Sequence, residues 1–260
     1  MSSSSEKKTV LVVGATGNTG HHVVRMLLQD GHRVKAVVRS QQSLSEKVDI
    51  VVEGLEVTEA TLLDLPTSTM ESLVQGCDAV VSCLGHRDIY GHPRQLVTEA
   101  MERLCRAIVN NNNNNNKKTK KLTKVILMGS NGVANPNGAD DVRPFMERCI
   151  LSLIRYLVPP HVDNETAAQL LYDTYPKEES SGLEWCVVRP DDLIDTDVVT
   201  LYDLHEKPLK GLFGGGTASR RNVAHAIVQL IVKESLWEQW RFLMPVVNDK
   251  KEDSSKVKDS

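Results

Sequence analysis

Gly14, Gly17 and Gly20 stand in the run Val-Val-Gly-Ala-Thr-Gly-Asn-Thr-Gly, a GxxGxxG spacing directly after a β-branched stretch. Residues of this type at this spacing suit the holding of phosphate. The first glycine permits a tight turn, the second leaves the backbone open to a pyrophosphate, and the third lets the next helix pack close to the strand. The amides around Thr16, Asn18 and Thr19 then point at the anion, helped by the positive end of the helix dipole. A second apolar stretch ends in Arg39 and Ser40. Binders of NAD usually place an acid here for the ribose 2′-hydroxyl. No acid lies between Lys35 and Gln42, and a guanidinium beside a hydroxyl suits a 2′-phosphate. NADP(H) is therefore the expected cofactor. Without a ligand, the same residues would form an ordinary strand-to-helix turn and a surface arginine.

Chemistry beyond binding needs polar groups where strands end. Ser130 follows the apolar run Val125–Met128 and can orient a substrate carbonyl or hold a ribose, with Asn131 beside it; a plain strand-end cap is the alternative. His86 follows the run Ala79–Leu84 and could donate a proton near neutral pH, although a loop histidine is the commoner role. No GxSxG, HExxH or GxxxxGK[ST] motif is present, and no metal site is expected.

These residues need elements to hold them. Strands are expected at Thr9–Val13, Arg33–Val38, Ile50–Val52, Ala79–Leu84, Val125–Met128, Trp185–Val188 and Phe242–Val247. Helical spacing marks Asn18–Asp30, Met70–Gln75, Leu96–Val109 and Asn222–Val232. Two amphipathic stretches, Phe145–Leu157 and Glu165–Tyr175, flank Pro159-Pro160. They read as a lid whose Leu151, Ile154, Leu157, Leu170 and Leu171 line either a pocket or the core. The alternation predicts an α/β fold: a doubly wound, mostly parallel sheet of the Rossmann type with helices on both faces. One domain is expected over residues 9–247. Residues 1–8, an Asn/Lys insertion at 110–121 containing Asn110–Asn116, and a tail at 248–260 are expected to be disordered.

Gly-Ala-Thr-Gly-Asn-Thr-Gly at 14–20 with Val-Val-Arg-Ser at 37–40 resembles the atypical short-chain dehydrogenase/reductases of the NmrA-like type, a group that includes biliverdin-IX-beta and flavin reductase-like proteins. The resemblance continues through Asp78–Gly85, Lys124–Ser130, Gly182–Pro190 and Ser219–Ala224, with Asn222 in a usual Asp position as a helix cap. It implies that Leu84, Gly85, Ser130 and Pro190 border the nicotinamide half of the cofactor. Two departures stand out. The family's Gly-Asp after the third strand is replaced by Gly54-Leu55-Glu56, which shifts adenine recognition or makes it apolar. The usual Tyr-x-x-x-Lys pair is missing: four places after Tyr90, Tyr156, Tyr172, Tyr175 and Tyr202 stand Arg94, Pro160, Pro176, Glu179 and Glu206.

The missing pair admits two readings. One is an NADPH-dependent reductase of a planar or carbonyl substrate (a flavin, quinone or tetrapyrrole), for which the cofactor carries the hydride chemistry and water can supply a proton. The other is a non-catalytic NADP(H) sensor that binds a protein partner. The chain has 260 residues and a net charge of −3, so no global charge points to nucleic acid or an anionic membrane. No apolar run nears the ~20 residues of a membrane span, and residues 1–8 hold no apolar signal region. The cysteines, Cys77, Cys83, Cys105, Cys149 and Cys186, are odd in number and form no CxxC, which fits reduced thiols and a cytoplasmic protein with a small-molecule substrate.

Overall fold

A computed structural model describes residues 6–114, 122–141, 144–177, 181–209 and 216–250. β-Branched residues make up half or more of the short strands β1 (Thr9–Val13), β2 (Arg33–Val38) and β4 (Ala79–Ser82). The other strands are β3 (Leu55–Glu59), β5 (Thr123–Met128), β6 (Leu183–Pro190), β7 (Asp192–Ile194), β8 (Tyr202–His205), β9 (Thr217–Ser219) and β10 (Val246–Asp249). The helices are α1 (Gly20–Gln29), α2 (Gln41–Ser45), α3 (Thr67–Val74), α4 (Leu96–Asn114), α5 (Phe145–Leu157), α6 (Pro159–Thr174), α7 (Arg220–Val232) and α8 (Glu234–Trp240). Among the described residues, eight strands form one sheet in the order β3-β2-β1-β4-β5-β6-β10-β8. Only the β10–β8 pairing is antiparallel; β7 and β9 form a separate parallel pair. The first six strands thus run in the doubly wound dinucleotide-binding order, as expected.

Alternation along β1 divides the core. Val10 and Val12 face the layer of α1 and α7, whereas Leu11 and Val13 face the layer of α3, α4 and α6. Four of the five cysteines, all but Cys149, are buried in these layers, and burial pushes the Cys83 and Cys105 thiols up to about 12.

Several boundaries differ from expectation. Ile50–Val52 is a turn, not a strand. The Asp49 carboxylate accepts from the Val51 amide at 3.0 Å, and Val51 is 90% exposed. The third strand starts at Leu55, after Gly54 at φ 94°, so Leu55 and Glu56 open β3 and the residues that follow it are Ala60 and Thr61. The third helix starts three residues before Met70 and ends at Val74. The polyasparagine segment is not wholly an insertion, because α4 continues to Asn114. Asn110 Nδ2 donates to Glu71 Oε1 at 2.8 Å, Asn111 to the Glu71 carbonyl at 2.7 Å, and Asn112 to the Gly182 carbonyl at 3.0 Å. The expectation for 115–121 lies outside the described residues, as do those for 1–5 and 251–260.

The last strand begins at Val246 rather than Phe242, because Phe242 adopts φ 61° in a turn that closes on Trp185. Residues 248 and 249 belong to β10 rather than to a tail. Asp249 accepts from the Ser219 amide at 2.8 Å and from Asn222 Nδ2 at 2.6 Å. Asn222 is not the cap of α7. Ser219 is, accepting from the Asn222 amide at 3.0 Å, while the buried Asn222 side chain ties α7 to Thr200 and β10.

Candidate functional site

Parallel pairing brings the ends of the strands into one row. Val13 is level with Val37 and Ser82, Ser82 with Leu127, and Leu127 with Val187. The residues just beyond this row therefore share one edge of the sheet. Strand order reverses between β1 and β4, which is where open α/β sheets take ligands.

At β1 the chain turns through Gly14 at φ 77°. A Cβ on Gly14 would lie 2.4 Å from the Cys83 carbonyl oxygen, and one on Gly20 would lie 2.2 Å from the Gly14 carbonyl oxygen. Both contacts are with backbone, so no side-chain rotation relieves them. Gly17 donates to the Gly14 carbonyl at 2.9 Å, and a Cβ there would meet the same oxygen at 3.1 Å. The three glycines thus fold the turn onto itself and onto the end of β4. The amides of Thr16, Asn18, Thr19 and Gly20 have no protein acceptor among the described residues, which leaves a cradle of donors at the N-terminus of α1.

Lys47 was not picked out by the sequence. Its ammonium donates to the Thr16 carbonyl at 2.9 Å and lies 3.3 Å from Asn18 Oδ1, placing a cation on the turn. Its signal is spatial, since Lys47 and Thr16 are far apart in the chain and meet only in the fold. His21, on the first turn of α1, holds the Gly17 carbonyl at 2.8 Å through Nδ1, and burial lowers its pKa.

Arg39 is exposed at the end of β2 and makes no ion pair among the described residues. Ser40 caps α2 by accepting from the Ser43 amide at 3.2 Å, so its O–H remains available to donate. An acid does reach this corner, although none lies nearby in sequence. Glu59 pairs in register with Val38 and accepts from the Gln41 amide at 2.7 Å.

Leu84 packs against the core, and Gly85 lies in open space. His86 is not free. Its Nε2 lies 2.7 Å from Asp163 of α6, with side-chain exposure of 5% and 0%. Asp163 also accepts from the Val97 and Thr98 amides at 2.7 and 2.9 Å and from Thr98 Oγ1 at 2.6 Å, so it caps α4 from another helix.

Ser130 and Asn131 open onto a cleft of about 320 Å³ at the ends of β5 and β6. Pro190 and Asp191 form one wall, Leu151 and Ile154 of α5 another, and His161 of α6 a third. Leu151 and Ile154 thus line the cleft, Leu170 and Leu171 pack in the core, and Leu157 is exposed. Asn131 is fixed by its amide on the Pro190 carbonyl at 2.9 Å. Arg189 is buried beneath, held by Asp140 at 2.7 and 3.0 Å and by the Met244 carbonyl at 2.7 Å. A larger, more open groove of about 670 Å³ runs along the outer flank of α1, between Arg25 and Val52; it lies away from the strand ends and their polar groups.

Known proteins bear on this geometry. Divinyl chlorophyllide a 8-vinyl-reductase of Arabidopsis thaliana is 37% identical over 86 residues, which is 30% of this chain and 21% of that protein. The matched stretches cover 12% to 33% of the curated relatives' lengths. A short-chain dehydrogenase/reductase of Veillonella parvula, solved with NADP, superposes with a TM-score of 0.63 at 16% identity, covering 94% of this chain and 95% of its own. ChuY, an anaerobillin reductase of Escherichia coli, gives 0.60 at 16% identity, covering 94% and 98%. At these identities the superpositions show a shared fold. A family model described as NAD(P)H-binding matches residues 14–234, which begin at the first glycine of the cradle and extend into α8. With the glycine turn, the donor cradle and the doubly wound sheet all in place, this chain belongs to the NAD(P)H-binding family.

Proposed function

We propose that the protein is an NADPH-dependent reductase of a small conjugated substrate of the flavin, quinone or tetrapyrrole class. The observation that carries the reading is one shared edge: the donor cradle at Gly14–Gly20 and the cleft at Ser130 both lie beyond the same row of strand ends. A dinucleotide with its pyrophosphate on the cradle would reach the cleft with its nicotinamide, and that ring supplies hydride. Gly14, Thr16, Gly17, Asn18, Thr19 and Gly20 hold the pyrophosphate. Leu84, Gly85 and Pro190 flank the nicotinamide, and Ser130 orients the ribose or the substrate. The names of the chlorophyllide and anaerobillin reductases support a tetrapyrrole-like substrate.

Arg39 stands at the end of β2 and Lys47 puts a second cation on the glycine turn, which together favour NADP(H). Glu59 favours NAD(H), because a carboxylate there can accept the ribose 2′-hydroxyl. Two cations against one acid support NADP(H), Arg39 and Glu59 being alike exposed and screened.

The test is NADPH oxidation by the purified protein against a panel of flavins, quinones, linear tetrapyrroles and aldehydes, with NADPH affinity measured in parallel. Turnover of at least one conjugated substrate is expected. Tight NADPH binding without turnover of any would overturn the reading.

A further inference from the structure

The site lacks the tyrosine–lysine pair, and His86, the histidine expected to serve, is tied to Asp163. A different histidine faces the cleft. His161 stands on the first turn of α6, which begins at Pro159-Pro160. Its ring lies against the bare α-carbon of Gly132. A Cβ on that glycine would meet His161 Cε1 at 3.0 Å, His161 Nδ1 at 3.5 Å and Ser130 Oγ at 3.6 Å. Gly132 therefore leaves a gap that both the imidazole edge and the Ser130 hydroxyl border. Ser130 Oγ has no protein partner among the described residues.

The far side of the ring is anchored. His161 Nε2 lies 3.4 Å from Glu165 Oε1, one helical turn on, in ionic contact but without hydrogen-bond alignment. Arg155 of α5 grips the same carboxylate with two bonds of 2.8 Å. Burial alone would raise the Glu165 carboxyl, but His161 and Arg155 outweigh it and hold the group down at about 2. A fixed carboxylate therefore stands behind the ring. Asp191 and Asp192 line the opposite wall of the cleft.

We propose that His161 is the proton donor of this cleft, aimed by Glu165 and Arg155 at the carbonyl oxygen or ring nitrogen of a conjugated substrate beside Ser130. The inference rests on the reductase reading above and names the proton source that reading leaves open. As the substrate gains hydride at one atom from the bound NADPH, which would leave as NADP⁺, the Nδ1–H bond of the imidazolium breaks, its electron pair stays on the ring, and an O–H or N–H bond forms on the substrate. The neutral imidazole then takes a proton from water at the cleft mouth. Ser130 donates to the same acceptor and holds it in line. Glu165 is a positioning residue, since it acts only through the ring.

The experiment follows turnover of whichever conjugated substrate the wild type reduces, as a function of pH, in the wild type, His161→Ala and Glu165→Gln. Nitrogen NMR of the His161 ring is recorded on the protein without substrate. The wild-type rate should fall as pH rises through the ring's own NMR titration. His161→Ala should lose about 10²-fold or more in kcat, keep its NADPH affinity and lose that pH dependence, and added imidazole should restore part of the rate. Glu165→Gln should lower kcat with little change in KM and move the NMR titration and the rate profile to lower pH together. A His161→Ala protein with wild-type rate and pH profile overturns the inference and leaves the reductase reading standing. Failure of the wild type to reduce any substrate overturns both. Should His161→Ala not fold, a wild-type pH limb that misses the ring's titration is enough to overturn the assignment.

Discussion

Arg39 is the residue proposed above to choose the cofactor, because its guanidinium is exposed at the end of β2 and makes no ion pair among the described residues. Arg39→Asp should weaken NADPH binding by about 1.5–3 kcal/mol, the worth of a charged hydrogen bond, which is roughly tenfold for each 1.4 kcal/mol. NADH binding should hold or improve, since the new carboxylate, with Glu59 nearby, can accept a 2′-hydroxyl. Fluorescence titration with both cofactors checks this, and equal losses for the two would remove Arg39 from the phosphate. Gly20 makes a different demand at the same scale. Its missing side chain admits the Gly14 carbonyl, and a Cβ would stand 2.2 Å from that oxygen. Gly20→Ala should cost about 1–3 kcal/mol of stability, as overpacking does, and weaken both dinucleotides together. Urea melts and cofactor titrations would show it, and a variant with unchanged Kd would mean that the turn is not the phosphate cradle.

At the scale of elements, α4 depends on contacts at both of its ends. Its first turn is satisfied by Asp163, whose carboxylate is wholly buried and takes bonds from Val97, Thr98 and His86. Asp163→Ala leaves two helix amides and a buried imidazole without their acceptor, and removes a negative charge from the positive end of the helix. The loss should be about 3–5 kcal/mol, the range for breaking a buried pair, and His86→Gln should cost less. Chemical denaturation of the two variants gives the comparison; equal losses would mean that His86, not the cap, dominates. At the other end, Asn110, Asn111 and Asn112 are bonded to Glu71 and Gly182. Replacing all three with alanine should cost about 1–3 kcal/mol, at 0.5–1.5 kcal/mol for each net bond less the better helix propensity of alanine. A triple variant as stable as wild type would show that the segment is held by propensity alone.

The whole molecule carries a pH dependence to which His21, His22, His32 and His225 contribute. Burial lowers His21, His32 and His225; burial, the His21 ring and the charges of Arg221 and Arg25 hold His22 down at about 4. The unfolded chain takes up protons at these histidines from about pH 6.5 downward, whereas the folded chain resists. Folding stability is therefore full above pH 6.5 and should fall as the pH drops toward about 4. Glu165 works in a lower window: its contribution is full above about pH 4.5 and is lost progressively as the pH falls toward about 2. Melting temperature measured from pH 7.5 to 4 should decline, and His22→Gln should flatten part of the decline. A melting temperature that is level across this range would count against buried neutral histidines.

Local spacing alone determined the order of β1, α1 and β2, the glycine turn between them and the alternation that makes a doubly wound sheet, because each depends on residues within one or two turns of chain. The same locality explains the errors. Leu-Glu-Val-Thr-Glu of β3 has no continuous apolar run, and its strand state comes from pairing with β2, while Ile50–Val52 has the right composition and is bent by Asp49. The asparagines of α4 have no apolar face, and partners on α3 and before β6 hold them helical. The places of Gly14–Gly20, Arg39 and Ser130 in the fold were legible because a turn or a strand end specifies them. Lys47, Glu59, Asp163 and His161 were not, since each acts across a gap that only packing closes. A hydrogen bond needs its partners within about 3 Å, and sequence separation says nothing about that distance once the chain has crossed a sheet. Tertiary structure alone thus decided which of two histidines is tied down as a strut and which faces the cleft.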